Sequence, residues 1–193
     1  MKYLLILFAG LLAHQAQAQD AAAAVKKLEG VYAGEWTMYR LGDKAQPMPA
    51  GSWKDTLTSK EVTITKAEAA VAINIAMRFD NPRIPAMKFN SREGYTLDAK
   101  GKPQAYFIEM NGQRVIAQEV GPNTYAYTSK PDAQELGRLG LGQAKDAWHT
   151  TVKAVVLVQG VETHKITRLT TAVLADGSIQ QFVSLSGFHT KIK

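Results

Sequence analysis

From Gly30 onward the chain alternates apolar and polar positions in short runs, each closed by a turn signal. The clearest run is Ala69 to Phe79, where Val71, Ile73, Ile75, Met77 and Phe79 share one face and Ala70, Ala72, Asn74, Ala76 and Arg78 the other. A period of two with one apolar side predicts a half-buried β-strand. Tyr106, Ile108 and Met110 repeat the pattern, and Asn111-Gly112 then leads into Val115 to Val120. Asn-Gly suits the two positive-φ positions of a type I′ turn, so this stretch predicts a hairpin. Tyr125 and Tyr127 alternate likewise, and Thr150 to Val158, Val161 to Val173 and Ile179 to Phe188 are three longer β-rich runs. Turns are marked by Gly42-Asp43, Pro47-Met48-Pro49, Asn81-Pro82, Asp98 to Gly101, Gly121-Pro122-Asn123, Gln159-Gly160 and Asp176-Gly177. These signals predict about nine or ten short strands joined mostly by tight connections.

One segment departs from this rhythm. Residues 131–147 are poor in β-branched side chains, and Pro131, Asp132 and Glu135 follow Ser129-Lys130 as at a helix start. Gly137, Gly140 and Gly142 weaken any long helix, so one or two helical turns forming a crossover are expected here. Antiparallel strands in one domain must protect their edges, and closure into a barrel does so completely. The expected fold is all-β: a single meander antiparallel barrel over residues 30–193, with a two-sheet sandwich as the alternative that periodicity alone does not separate.

The N-terminus has a different character. Lys2, an apolar run from Leu4 to Ala13 and the small-x-small triplet Ala16-Gln17-Ala18 are the three parts of a secretory signal peptide. Cleavage after Ala18 would leave Gln19 at the mature terminus, followed by an alanine-rich spacer or short helix over residues 19–29. The expected destination is the periplasm or the extracellular space. The chain has no cysteine, which excludes a lipidated N-terminus and any disulfide, so stability must come from the core. No apolar run reaches the roughly 20 residues of a membrane-spanning helix.

Charge adds little. The chain carries 23 basic and 17 acidic residues, a net +6, but Lys26-Lys27 is the only adjacent basic pair in the mature region. No basic stripe interleaved with aromatics occurs, so no nucleic-acid partner is expected.

Chemistry-bearing residues are few. Glu162 and His164 are two apart in a strand-like run and emerge on one face, where a carboxylate can orient an imidazole for acid–base work. His149 lies on the preceding strand. His189, late in the last strand, is a candidate proximal haem ligand, although no cofactor is the simpler expectation. Metal-ligand spacing, a nucleophile elbow and a phosphate loop are all absent from the sequence. Ordinary solvent-facing strand positions are the simpler expectation for these histidines. Aromatic and methionine residues, among them Trp36, Trp53, Met77, Phe79, Met87, Phe89, Tyr106 and Tyr125, fall on predicted strands and in large part fill the core. A barrel of this strand count is nevertheless wide enough to hold a small ligand. Trp36, Tyr106, Arg114 and Tyr125 are therefore candidate ligand contacts, and Asn74, Arg78 and Glu109 further polar positions that could face inward.

The domain opens on Gly30-Val31-Tyr32-Ala33-Gly34-Glu35-Trp36. The Gly-x-Trp of Gly34 to Trp36 resembles the start of lipocalin-like, calycin-type barrels. Together with Pro47-Met48-Pro49 and the run of hairpins, it is similar to secreted bacterial proteins of that fold. The resemblance implies that the tryptophan packs across the closed end, and that the interior takes a small, largely apolar molecule. The Thr-Asp-Tyr motif and the disulfide of lipocalins are missing, so the architecture carries over without binding residues. The resulting expectation is an exported carrier or sensor of a small hydrophobic molecule. A small barrel enzyme acting through Glu162 and His164, and an interaction module using an apolar sheet surface, are the two alternatives.

Overall fold

A computed structural model of the chain describes residues 22–23, 25–41, 47–65, 68–80, 88–110 and 112–193, with 40, 47–65, 77, 79–80 and 88–89 described by backbone alone. The signal-peptide stretch 1–18, the turn signals at 42–43 and 81–82, and the side chains of Trp53, Met77, Phe79, Met87 and Phe89 lie outside the described residues.

The strands are β1 (Gly30–Leu41), β2 (Pro47–Thr65), β3 (Ala70–Asp80), β4 (Lys88–Leu97), β5 (Pro103–Met110), β6 (Gln113–Gly121), β7 (Thr124–Ser129), β8 (Asp146–Val158), β9 (Val161–Val173) and β10 (Ile179–Lys191). Each pairs antiparallel with its neighbour in sequence, and β1 pairs with β10. The described strands thus close into a meander barrel, the expected fold class, rather than a sandwich. It is compatible with a lipocalin-like barrel. Among the described residues no helix is long and apolar enough to cross a membrane.

Local chemistry sets the connections. Gln159 and Gly160 both take positive φ, 51° and 79°, as a type I′ turn between β8 and β9 requires. Gly112 does so at the predicted β5–β6 hairpin. The crossover helix spans Ala133–Leu139, capped by Asp132, whose carboxylate accepts from Glu135 N at 2.7 Å, and ended by Gly140 at φ 74°. It is shorter than the stretch 131–147, because β8 already begins at Asp146 in register with Val173. Similarly, β10 runs beyond Phe188 to Lys191, which pairs with Tyr32 of β1.

Which face is inside follows from contacts between strands that are not neighbours. Lys153 of β8 reaches Glu93 of β4, and the Tyr95 hydroxyl of β4 meets that of Tyr125 on β7 at 3.0 Å. Such contacts are possible only through the lumen, and strand alternation assigns the rest. Val71 and Ile73, Glu93 and Tyr95, Tyr106 and Ile108, Tyr125 and Tyr127, Thr151 and Lys153, and His164 and His189 all face inward. At the end where β1 begins, a helical turn inserts Val25 against Val71 and Ile73, with Leu28 and Leu97 packed alongside. At the opposite end the crossover segment packs Leu136, Leu139 and Leu141 on Ala147 and Ala172.

The seam between β1 and β10 is an interlock of rings and glycines. Gly34 lies opposite His189, and Trp36 opposite Gly187. A Cβ on Gly187 would come within 2.7 Å of the Trp36 ring, and one on Gly34 would run into the Phe188 carbonyl and the His189 ring. The Gly-x-Trp spacing therefore serves barrel closure. Trp36 sits midway along β1, and the position nearest the helical turn belongs to Tyr32, whose hydroxyl lies 3.2 Å from the Leu28 carbonyl oxygen.

Gly34→Ala is expected to cost about 1–3 kcal/mol, because backbone and a buried ring must move to admit the methyl group. Gly137→Ala, where nothing lies within 4 Å of an added Cβ, should instead stabilise by about 0.5–1 kcal/mol through helix propensity. Urea unfolding of both variants checks the pair; a neutral Gly34→Ala would contradict the interlock.

Candidate functional site

The inner face is more polar than the alternation pattern suggests. Midway along the lumen, Glu93 and Lys153 form an ion pair, with side chains 10% and 4% exposed. Glu93 Oε2 also accepts from the Tyr106 hydroxyl at 2.5 Å. Burial, aided by the Glu93 charge, drives the Tyr106 hydroxyl well above its ordinary pKa, so it remains a donor. Beside this group stands a wall of tyrosines. Tyr106 stacks on Tyr125 with centroids 4.2 Å apart and meets Tyr95 edge-on at 5.3 Å. Tyr127, Ile108 and Val115 extend the wall. Lys153 is the cross-strand neighbour of Tyr125, so cation, carboxylate and aromatic surface converge.

Two further clusters occupy the ends. Near the helical turn, the Tyr32 hydroxyl donates to Glu162 Oε1 at 2.5 Å, and His164 Nε2 lies 3.4 Å from the same oxygen. The His164 ring also packs on Tyr32 at 4.4 Å. Burial, with smaller contributions from Lys153, His189 and Lys191, pushes its pKa down to about 2, so the imidazole is neutral. At the other end His149 Nδ1 is 3.0 Å from Thr170 Oγ1, and its Nε2 3.1 Å from Glu135 Oε1 on the crossover helix. Arg168 approaches the same carboxylate at 3.7 Å. The hydrogen bond with His149 leads the causes that hold the Glu135 carboxyl below its usual range.

The structure thus brings together most of the side chains singled out from sequence. Glu162 and His164 are neighbours on the inner face. Trp36 and His189 are inside and in edge contact at 5.2 Å, with His189 fully buried. Tyr106 and Tyr125 belong to the tyrosine wall. Arg114 does not join them: it lies on the outer face, over the Phe107 ring at 4.4 Å, and bridges Glu68 and Glu109. Asn74, Arg78 and Glu109 share that outer parity with Arg92. Glu93 and Lys153 escape a reading of the sequence because no motif or alternation marks them, and Glu135 is legible there only as part of a helix start. Among the described residues no three His, Asp or Glu side chains are grouped to hold a metal ion. No protein-family model matches the sequence, and no curated protein matches it.

Two outcomes follow. Lys153→Met leaves a buried carboxylate without its cation and should cost about 3–5 kcal/mol in urea unfolding, most of it recovered by adding Glu93→Gln, which still accepts from Tyr106. A double variant no better than the single would contradict a coupled pair. The second concerns acid. An unfolded chain protonates His164 near its ordinary value of about 6.5, whereas the folded chain resists until about 2. His164 therefore favours the fold above pH 6.5, and stability falls by about 1.4 kcal/mol per pH unit below it. Between pH 7 and 5 the wild type should lose about 2 kcal/mol more than His164→Phe; equal losses would contradict it.

Proposed function

We propose that the chain is an exported, lipocalin-like binding protein that holds a small, largely hydrophobic molecule in its lumen, as a carrier or sensor. The observation that carries this reading is the convergence of the tyrosine wall on one buried, charge-balanced polar group, Glu93–Lys153–Tyr106. Small-molecule sites commonly combine an apolar and aromatic lining with a few placed polar groups. The ion pair is neutral overall, so a charged ligand head would leave one buried charge uncompensated. The reading therefore favours a ligand with an apolar or flat aromatic body and an uncharged hydrogen-bonding head. The Gly-x-Trp opening and the leader-like N-terminus agree with it.

Acid–base catalysis at Glu162 and His164 has less support. The two are adjacent, but an imidazole held neutral down to about pH 2 is a weak base at physiological pH. Haem ligation by His189 gains no support from its ring, which packs between Gly34 and Trp36.

Titration with the neutral fluorophore N-phenylnaphthylamine tests the proposal. Folded protein should enhance its emission, an organic extract of the source cells should displace it, and Tyr125→Ala should weaken binding about tenfold through loss of the stacked ring. Absence of binding by folded protein, or an affinity indifferent to Tyr125→Ala, would contradict it.

A further inference from the structure

We infer that the seam between β6 and β7 is the portal through which the lumen exchanges its ligand; the inference rests on the carrier reading above. The ladder along this seam covers only Gln118 to Gly121 against Thr124 to Ala126. Yet β6 starts at Gln113 and β7 continues to Ser129. Both upper ends stay paired on their other sides, Gln113 with Met110 and Ser129 with His149, so the parting is confined to this seam. It opens a cleft of about 390 Å³ lined by Gln113, Arg114, Val115, Thr128, Ser129 and Lys130.

The parity of that lining shows what the cleft does. Gln113, Val115 and Ser129 share the inward face, whereas Arg114 and Thr128 share the outward one. The cleft thus takes in residues of both faces of the same two strands, as a passage between them would. Its inner lip, Val115, is packed against the tyrosine wall. On the outer lip Arg114 is held by Glu68 and Glu109, and Lys130 by Asp146, so the cations there are already balanced. A neutral, largely apolar ligand crosses such a lip without having to strip an ion pair.

The same geometry links the portal to the cover. Beyond Lys130 the chain enters the crossover helix, so the β7 wall of the portal and the cover over that end of the barrel are one segment. Glu135 pins the segment through His149 and Arg168.

Reversible closure tests the portal. Ile116→Cys with Thr128→Cys places one thiol on each strand of the parted stretch, on the outward face and away from the tyrosine wall, at positions that would pair if the Glu119–Tyr125 register continued along the strands. The chain has no cysteine of its own, so the engineered pair is the only one available within a chain; mass spectrometry confirms its closure, and one protein then serves as its own control. Oxidation should slow both association and dissociation of N-phenylnaphthylamine about tenfold or more, leave affinity within about twofold, and be undone by reduction. Rates unchanged by the disulfide would overturn the portal and leave the carrier reading standing. A probe that binds neither form would overturn the carrier reading, and the portal with it. Thr128→Trp, which fills the cleft from its outward face without redox chemistry, should slow both rates in the same way, and unchanged rates would again overturn the portal.

Discussion

Closing the sheet removes its edges and, in the same act, isolates its inner face from bulk water. A charge on that face must then find its partner inside, because an unpaired buried charge costs far more than a surface one. The consequence is visible along the lumen. Glu93 meets Lys153 and Tyr106, Glu162 meets Tyr32 and His164, and Glu135 meets His149 and Arg168. Two carboxylates on the inner face and one on the crossover helix are each joined to a residue from a distant part of the chain.

Closure itself depends on the β1–β10 seam, and the seam on two glycines. A bulky ring on each strand needs a bare backbone opposite it, and Gly34 and Gly187 provide that for His189 and Trp36. The parted β6–β7 seam makes the opposite choice, trading ladder hydrogen bonds for an opening. The barrel therefore has one seam whose ladder runs along most of both strands and one whose ladder stops partway.

Much of the architecture is legible in the sequence because it is local. Alternation in Ala69 to Phe79 assigns Val71 and Ile73 to the interior correctly, and Gly112, Gly160 and Asp132 mark their turns and cap by chemistry that acts over a few residues. The site is less legible. On β8 the apolar positions Val152, Ala154 and Val156 suggest the inward face, yet Thr151 and Lys153 take it while Val152 is 37% exposed. A polar lumen reverses the usual sign of the hydrophobic pattern, so Lys153 reads as a surface residue and Arg114 as a candidate for the interior. Only the pairing of strands far apart in sequence tells them apart. Glu162 and His164 are legible as a pair because their spacing alone puts them on one face; that this face is the lumen is not.

Under the proposed function the lumen holds one small molecule, set against tyrosines and a neutral ion pair. Native mass spectrometry of the purified protein, before and after incubation with an organic extract of its source cells, tests this most directly. The account predicts a discrete small-molecule adduct at one-to-one stoichiometry that is lost on unfolding. A bare polypeptide mass under saturating extract would contradict it.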